Sequence, residues 1–241
     1  IYTTPKHCTC WPMLSGYVAM APASPAKDNP VKKPIDEIKF SLVKGSASPN
    51  PSAAQPATND WPTYRGDRWR SGSSPAGGPT DLTTKWRTKL ADPSVLPDGP
   101  ILHDWRENPF IKGLVSAPTI ANGRVFVARS EAHEVVSIDA SSGKPSWRFT
   151  ARGRVDTPPT IHRGLAIFGC HAGYVYALRA DTGEMAWEFQ AAPHDERIVA
   201  YGQVESPWPV PGAVLVIDQS VYFVAGRQQL ADGGVLVFAL D

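Results

Sequence analysis

A repeated stretch in the second half of the chain constrains the fold more than any other feature. The segment SIDASSGKPSWRF at residues 137–149 returns as ALRADTGEMAWEF at residues 177–189, a shift of 40 residues. Upstream of each copy stands another matching pair, SAPTIANGRVFVA at 116–128 and TPPTIHRGLAIFG at 157–169. A repeat of about 40 residues is typical of folds that stack copies of one supersecondary unit.

Each repeat predicts four short antiparallel strands. The runs EVVSIDA and YVYALRA are rich in β-branched and aromatic residues, which favour strands. Gly143 and Gly183 follow them where a tight turn needs positive φ, and Trp147 and Trp187 lie in the returning strands. Two chance hairpins in an ordinary β-sandwich are the alternative, but the fixed offsets favour an all-β fold, a partial β-propeller of four-stranded blades.

Further copies of the unit are incomplete. Residues 212–226 and 233–241 match the first three strands of a third unit, and Trp86 occupies the tryptophan position of an earlier one. About three blades are fewer than the 4–8 that usually close a ring. We therefore expect a fragment of a longer chain, which associates with the remaining blades of the parent polypeptide because an open run of blades exposes strand edges.

Composition divides the chain into three parts. Residues 1–21 have the pattern of the end of a preceding blade, and residues 22–59 form a Pro/Ser/Ala-rich linker in which one strand is expected. Residues 60–241 carry the propeller blades. The net charge of +1 gives no basic surface for nucleic acid. No apolar run approaches the roughly 20 residues that span a bilayer.

Several motifs resemble a known family. DTGEMAW and SSGKPSW resemble the tryptophan-docking repeats of the pyrroloquinoline-quinone-like (PQQ-like) β-propellers, and DWPTYRGDRWRSG at residues 60–72 resembles the segment that opens many such bacterial propellers. The stretches HCTC, RVDTPPT and ERIVAYGQVESPWPV are similar to a subgroup of large exported bacterial proteins of unassigned function. The resemblance covers about residues 60–241 and implies a periplasmic or otherwise exported location.

The resemblance implies two kinds of function. Quinoprotein dehydrogenases of this superfamily hold a quinone with a metal ion, use a catalytic Asp and carry adjacent cysteines, whereas other members bind proteins and no quinone. This sequence has no Cys-Cys pair and no matching acidic set. We therefore expect no PQQ and no catalytic residue, and favour a binding or scaffold module with a protein partner. The alternative is part of a redox protein, either dehydrogenase-like or metal-binding for electron transfer.

A Cys-x-Cys stretch near the start is the candidate metal site. Cys8 and Cys10 would share one face of a strand and present two thiolates to Zn or Cu, with His7 joining through a bulge or loop. Cys170 and His171 would complete such a set if the fold brings them near. A disulfide from Cys170 to Cys8 or Cys10, or simply buried thiols, are the alternatives.

A long connection supplies the candidate ligand or partner loop. The chain takes 10 residues from Trp147 to Thr157 but 25 from Trp187 to Gly212. Long connections on a rigid scaffold are where binding groups collect. The candidates in the extra length are His194, Asp195, Glu196, Arg197, Tyr201, Gln203, Glu205 and Trp208. Alternatively, the acidic and basic residues are a solvated charge run and Trp208 packs against a blade.

A second insertion, residues 91–113, carries His103 beside Asp104. Such a pair suggests a catalytic dyad, but the sequence holds no Ser in a G-x-S-x-G context, so the signal for a hydrolase is weak. Trp61, Tyr64 and Arg65 are interpreted as packing that closes a blade.

Overall fold

The computed structural model describes residues 2–3, 18–19, 37–48, 55–96, 98–106, 108, 113–229 and 234–241. It confirms an all-β, propeller-type fold, with one short helix. Two complete four-stranded blades and one three-stranded blade lie side by side. Blade I contains β4 Thr119–Ala121, β5 Arg124–Arg129, β6 Glu134–Asp139 and β7 Pro145–Thr150. Blade II contains β8 Thr160–His162, β9 Leu165–Cys170, β10 Tyr174–Arg179 and β11 Met185–Gln190. Blade III contains β14 Leu215–Ile217, β15 Ser220–Ala225 and β16 Leu236–Leu240.

The remaining elements precede or interrupt the blades. They are β1 Tyr2–Thr3, β2 Val18–Ala19, β3 Leu42–Lys44, a 3₁₀ turn Pro93–Val95, helix α1 Pro100–Arg106, β12 Ile198–Ala200 and β13 Gln203–Glu205. Strands β1 and β2 pair with each other, and β12 pairs with β13 as a separate hairpin. Among the described residues, no helix is both long enough and apolar enough to cross a membrane.

The blade turns have the geometry that the sequence predicts. Asn122 and Gly123 both have positive φ, 51° and 72°, and Arg163 and Gly164 repeat this pattern at 45° and 73°. Two successive positive φ angles are the signature of a type I′ turn, which matches the twist of the flanking strands. The repeat therefore encodes the hairpin between the first two strands of blades I and II.

Tryptophans connect consecutive units. The Trp86 indole N–H donates to the Ala140 carbonyl at 2.9 Å, and Trp147 donates to Ala180 at 3.0 Å. A Cβ atom on Gly183 would lie 2.7 Å from the Trp147 ring, so only glycine fits under the indole. Each tryptophan thus packs on the turn of the following unit. Trp86 does so without belonging to a strand among residues 55–96.

The core lies between blades. The layer between blades I and II is built on buried side chains that include Phe126, Val135, Phe168, Tyr176 and Leu178. The layer between blades II and III includes Ile167, Val175, Phe189, Trp208 and Phe223. Both faces of blade II are therefore covered by neighbouring sheets.

The predicted linker strand joins blade II. β3 pairs antiparallel with β11, Val43 opposite Glu188, and so adds a fifth strand at the outer edge of the blade. Phe40 stands just before it and packs against Phe189 and Phe238, at ring-centroid distances of 6.2 and 5.0 Å. The segment therefore protects an outer strand and fills the gap between two blades.

The antiparallel order gives the assembly two ends. The turns after β4, β8 and β14 lie at one end, which we call the turn end. The links from β5 to β6 and from β9 to β10, together with the connections between blades, lie at the other, the connection end. The first strands β4, β8 and β14 are neighbours, and they form the inner edge of the assembly.

Candidate partner-binding face

A buried network of charged side chains lies at the connection end. Arg154 and Asp156 come from the connection between blades I and II, and His171 from the link between β9 and β10. Glu205 ends β13 in the long insertion, and Arg227 follows β15 of blade III. Arg154, His171 and Glu205 are at most 4% exposed. Five residues from four separate segments of the chain thus meet where three blades adjoin.

Every charge in the network has an opposite partner. Arg154 Nε lies 2.8 Å from Asp156 Oδ1, and its Nη1 lies 2.5 Å from Glu205 Oε1. His171 Nε2 lies 2.7 Å from Asp156 Oδ2, and its Nδ1 lies 2.9 Å from Glu205 Oε2. Arg227 also pairs with Glu205. Because carboxylates only accept hydrogen bonds, both imidazole nitrogens donate and the ring is positively charged.

The guanidinium of Arg154 stacks on this ring. Its Nη2 lies 3.2 Å from Nδ1 and 3.4 Å from Nε2 of His171. A nitrogen almost equidistant from both ring nitrogens lies over the ring face and makes no in-plane hydrogen bond to either of them. Two like charges in contact are stable here because two carboxylates surround them.

The network shifts the ionisation of its members. Burial alone would lower the pKa of His171, but the attraction of Asp156 and Glu205 outweighs burial and raises it. Burial alone would raise the pKa values of the two carboxyls. The charges of His171 and Arg154 outweigh that effect and lower both pKa values, with a contribution from Arg227 at Glu205. The ionised form of each group is therefore favoured.

Each of the two long insertions has a residue in contact with the network, and Glu205 is that of the second. Trp105 of helix α1 is 7% exposed, and its ring centroid lies 6.0 Å from the Arg154 guanidinium. Burial lowers the pKa of His133, which lies in the link between β5 and β6 close to the charges of Arg154 and Glu205. The insertions at 91–113 and 188–211 are therefore both attached to the buried charged network, which we call their base.

The chemistry of the network favours a structural role. A general base needs an unprotonated nitrogen within reach of substrate, and both nitrogens of His171 are occupied by carboxylates. Removing one partner from such a buried set leaves an uncompensated charge, which is strongly destabilising. The network therefore fixes the positions of the loops that supply it.

A rigid hairpin projects from this base. β12 and β13 pair with Val199 opposite Val204, and the turn residues Tyr201 and Gly202 have φ of 49° and 74°, as in a type I′ turn. Tyr201 is buried, and Glu205 anchors the second strand in the network. Val199 and Val204 are 54% and 61% exposed. The hairpin buries one face and presents an apolar pair on the other.

The structure separates the eight candidate residues of this insertion into two groups. Asp195 and Arg197 are exposed and pair with each other at 2.9 Å. His194, Glu196 and Gln203 are half-buried, and the His194 ring lies 5.6 Å from Trp208. Tyr201, Glu205 and Trp208 are buried. Trp208 packs in the layer between blades II and III, so the eight side chains do not converge on one ligand.

The candidate metal residues His7, Cys8 and Cys10 lie outside the described residues. Cys170 is a free, buried thiol whose pKa is raised by burial. His171 beside it is occupied by Asp156 and Glu205. Within the described part of the chain, no group of three or more His, Cys, Asp or Glu side chains is placed to hold a metal ion.

The other insertion offers no dyad. His103 lies on helix α1 with an exposed side chain, and the side chain of Asp104 lies outside those described. Trp105, which sequence reasoning passed over, is the residue of this insertion that reaches the network.

Sequence reasoning missed Arg154, Asp156 and Arg227. The stretch RVDTPPT places a basic and an acidic residue in one short connection, and this is the available signal. No periodicity relates these residues to Glu205, because they lie in connections and links rather than in repeated strands.

Comparisons with known proteins place the chain among PQQ-like repeats. A family model described as "Outer membrane protein assembly factor BamB" matches residues 69–231. Quinoprotein alcohol dehydrogenase PedH of Pseudomonas putida is 30% identical over 113 residues, which cover 43% of this chain and 18% of that protein. Outer membrane protein assembly factor BamB of Burkholderia pseudomallei is 37% identical over 60 residues, 24% of this chain and 16% of that protein.

A solved structure shows the same fold. Quinohemoprotein alcohol dehydrogenase ADHIIG of Pseudomonas putida superposes with a TM-score of 0.55 at 17% identity, covering 75% of this chain and 25% of that one. The matches span less than a fifth of the length of each of these two curated relatives. At this identity the structural likeness shows the fold alone.

Proposed function

The chain belongs to the PQQ-like repeat family described as outer membrane protein assembly factor BamB, and from this premise we propose that it is a non-catalytic binding module. In this proposal the hairpin of residues 198–205 binds a protein partner. The observation that carries it is the exposed Val199–Val204 pair on a hairpin held by buried charges.

The hairpin has the properties of a preorganised interface. Its base is fixed by Glu205, so binding orders few additional groups and loses little conformational entropy. The apolar pair is flanked by the exposed ion pair of Asp195 and Arg197. An apolar centre with a polar rim is the usual composition of a protein–protein contact.

A second contact in this proposal is another propeller blade. Blade III presents Tyr222, Val224 and Val237 on the face opposite blade II, with exposures of 38%, 40% and 76%. The corresponding face of blade II is buried under blade III. We propose that a further blade of the parent polypeptide covers this face in the same way.

An exported location forms part of the proposal. It is supported by the relative named for outer membrane assembly in Burkholderia pseudomallei. A propeller that displays loops from a rigid body suits a scaffold within an envelope complex.

The proposal is tested with the double variant Val199→Asp/Val204→Asp in the full-length protein. Burial of each valine against the partner contributes about 1.5 kcal/mol of binding free energy. The double variant should therefore bind the partner more than tenfold more weakly. Partner co-purification is quantified by mass spectrometry against Val43→Asp, a control at an equally exposed valine (51%) on the outer strand. Unchanged co-purification in the double variant contradicts the proposal.

The alternative function, part of a redox protein, is supported by the similarity to PedH. Among the described residues, no group of three or more His, Cys, Asp or Glu is placed to hold the metal ion that accompanies such a quinone. The inner-strand hydroxyls of Thr119 and Thr160 donate to the backbone carbonyls of Pro159 and Val214, and the only cysteine among the described residues is buried. No step through a quinone is therefore derived.

An absorption spectrum with elemental analysis of the full-length protein tests the redox alternative. A stoichiometric quinone band with a bound metal ion would favour it over the scaffold. Zinc or copper that disappears in Cys8→Ser/Cys10→Ser would assign a metal to the Cys-x-Cys stretch. The scaffold proposal predicts neither signal.

A further inference from the structure

The extra strand on blade II is held mainly by backbone hydrogen bonds. β3 pairs with β11 over three residue pairs. Beyond this ladder the Gly45 N–H donates to the Ala186 carbonyl at 2.8 Å, and the Ala47 N–H donates to the Met185 carbonyl at 3.1 Å. We call residues 40–47 the edge segment. Its pairing is the β-strand addition by which exposed sheet edges bind extended peptides.

Two positions of the edge segment fit their surroundings closely. The Phe40 ring packs on Phe189 of β11 and Phe238 of β16, at centroid distances of 6.2 and 5.0 Å. A Cβ atom on Gly45 would lie 2.0 Å from the Met185 carbonyl oxygen, so a larger residue does not fit at this position. The edge of blade II therefore selects an aromatic residue and, five positions later, a glycine.

The aromatic part of this fit is particular to the gap between blades II and III. The strand register places Tyr176 of blade II at the position of Phe238 in blade III. Tyr174 stacks on the Tyr176 ring at 6.2 Å, and the Arg152 N–H donates to the Tyr176 hydroxyl at 3.3 Å. Phe238 takes the Phe40 ring instead. Among the described residues, the outer strand β7 of blade I has no fifth strand beside it.

The edge segment has little buried surface. Leu42 and Val43 are 42% and 51% exposed, and Phe40 is half-buried. Segments that have few buried apolar contacts open at a low free energy, without unfolding of the whole domain. The edge segment is therefore held less firmly than the strands of blade II.

The extended segment at the inner edge of the blades provides the contrast. Trp61 and Ile120 of β4 exchange two backbone hydrogen bonds, each 2.8 Å long. Thr63 is buried, and its hydroxyl lies 2.9 Å from that of Thr160 in β8. This segment joins two blades at their inner edges and does not close the outer edge of one blade. Its buried contacts make it a fixed part of the fold, unlike the edge segment.

We propose that the outer edge of blade II is a peptide-binding site and that residues 40–47 are its covalently attached, displaceable ligand. When the edge segment opens, β11 and the rings of Phe189 and Phe238 accept a second segment of the same pattern from another chain. The hairpin of residues 198–205 lies at the connection end and contributes nothing to this site, so the inference does not depend on the function proposed for the hairpin.

Fluorescence anisotropy tests the inference with a peptide of residues 37–48 labelled with fluorescein. The receptor is the full-length protein with Gly45→Ala, which weakens the pairing of its own edge segment, and we expect saturable binding. The unmodified protein should bind the peptide at least tenfold more weakly than this receptor does. The reason is that an attached segment rebinds as an intramolecular event and competes with the peptide.

Peptide variants test the pattern. Phe40→Ala and Gly45→Ala peptides should bind the receptor at least tenfold more weakly than the unmodified peptide. Ser41→Ala changes an exposed neighbour of Phe40 and should have no effect. Adding Val199→Asp/Val204→Asp to the receptor should also leave binding unchanged.

Photo-crosslinking locates the bound peptide. A benzophenone side chain in place of Leu42 should form its adduct within β11, because Leu42 lies opposite Phe189 in the ladder. Mass spectrometry of the digested adduct identifies the residues, and thermal unfolding confirms that the receptor is folded.

Hydrogen exchange in the unmodified protein tests displacement without any variant, and it decides the question if Gly45→Ala does not fold. The amides of Gly45 and Ala47 should exchange at least a hundredfold faster than that of Val175 in the middle of blade II.

Four results would overturn the inference. They are no saturable binding to a folded Gly45→Ala receptor, equal binding of the Phe40→Ala and unmodified peptides, an adduct outside β11, and exchange at Gly45 as slow as at Val175. The last result would make the edge segment an integral strand of the blade.

Discussion

Blades II and III have the same sequence pattern but different surroundings. In blade II, Ile167 and Val175 are 2% and 0% exposed, because blade III covers them. The strand register places Tyr222 and Val237 at the corresponding positions of blade III, where they are 38% and 76% exposed. A blade thus carries an apolar face even where none of the described residues covers it, and this face of blade III is the one on which we propose that a further blade docks.

Blades II and III also differ in what holds them in place, which is apolar packing between blades in one case and packing together with the charged network in the other. Blade II is held on one side by the layer around Phe168 and on the other by the layer around Phe223. Blade III has one such layer, and it is attached at the connection end by the pair of Arg227 and Glu205. Blade III therefore depends more on the charged network than blade II does.

The largest expected effect comes from placing a charge at matched positions of the two blades. Val175→Asp buries an unpaired carboxylate and should lower the free energy of unfolding by about 4–5 kcal/mol. In the 241-residue chain by itself, where the proposed further blade is not present to cover this face, Val237→Asp puts the same charge in water and should change it by less than about 0.5 kcal/mol. Chemical denaturation of both variants measures the difference. Equal losses would show that the face of blade III is buried.

Removing one carboxylate from the network should rank second. Glu205→Gln leaves Arg154, His171 and Arg227 with one fewer anion. We expect the free energy of unfolding to fall by about 3 kcal/mol, which is the low end for a broken buried ion pair, because the amide keeps some of the hydrogen bonds. The matched control Asp181→Asn breaks an ion pair with Arg179 at the surface and should leave the denaturation midpoint nearly unchanged. Similar midpoints for both variants would contradict a structural role for the network.

The turn glycines should give an intermediate effect. Gly183 and Gly123 both have positive φ, 77° and 72°, so alanine is strained at either position by about 1 kcal/mol. A Cβ at Gly183 would also meet the Trp147 ring at 2.7 Å, whereas nothing lies within 4 Å at Gly123. Gly183→Ala should therefore unfold at clearly lower denaturant than Gly123→Ala. The reverse order would argue against contact between the indole and the turn.

His171 should in addition give a gradual pH dependence of stability. Its pKa is raised in the folded state, so its contribution to stability is complete below its unfolded pKa of about 6.5 and is lost as pH rises through the folded value. Between these values stability should fall by up to about 1.4 kcal/mol per pH unit. Denaturation at pH 6 to 9 measures the slope, and His171→Gln should remove that part of it.

At acidic pH the slope of stability against pH has the opposite sign. The lowered pKa values of Asp156 and Glu205 give stability that is present above their unfolded values and is lost as pH falls through the folded ones. A profile that is flat on both sides would contradict the ion network.

The sequence predicts the blades because their information is local. Alternating apolar residues, the positive-φ turn at Asn122-Gly123 and the glycine of the second turn are each set within one repeat of 40 residues, whereas the contact of that glycine with a tryptophan joins consecutive units. The linker strand was expected, but its partner β11 was not, since pairing over more than 140 residues leaves no pattern in either segment.

The network could not be predicted for the same reason. Arg154 and Glu205 lie in two separate connections between blades, and only the closure of neighbouring sheets brings them to 2.5 Å. For Trp208 the sequence allows two interpretations, because an aromatic residue in a long loop can contact a ligand or pack against a blade. Its burial between two blades depends on the position of blade III.

Site-specific photo-crosslinking at Val199 in the full-length protein tests whether the hairpin of residues 198–205 contacts a protein partner. A benzophenone side chain at this exposed position should yield one dominant protein adduct, which disappears when Val204 is changed to Asp and persists when Val43 is changed. If the crosslinker at Val199 yields no protein adduct and the purified protein carries a stoichiometric quinone, the proposed binding function of the hairpin is contradicted and the redox alternative is favoured.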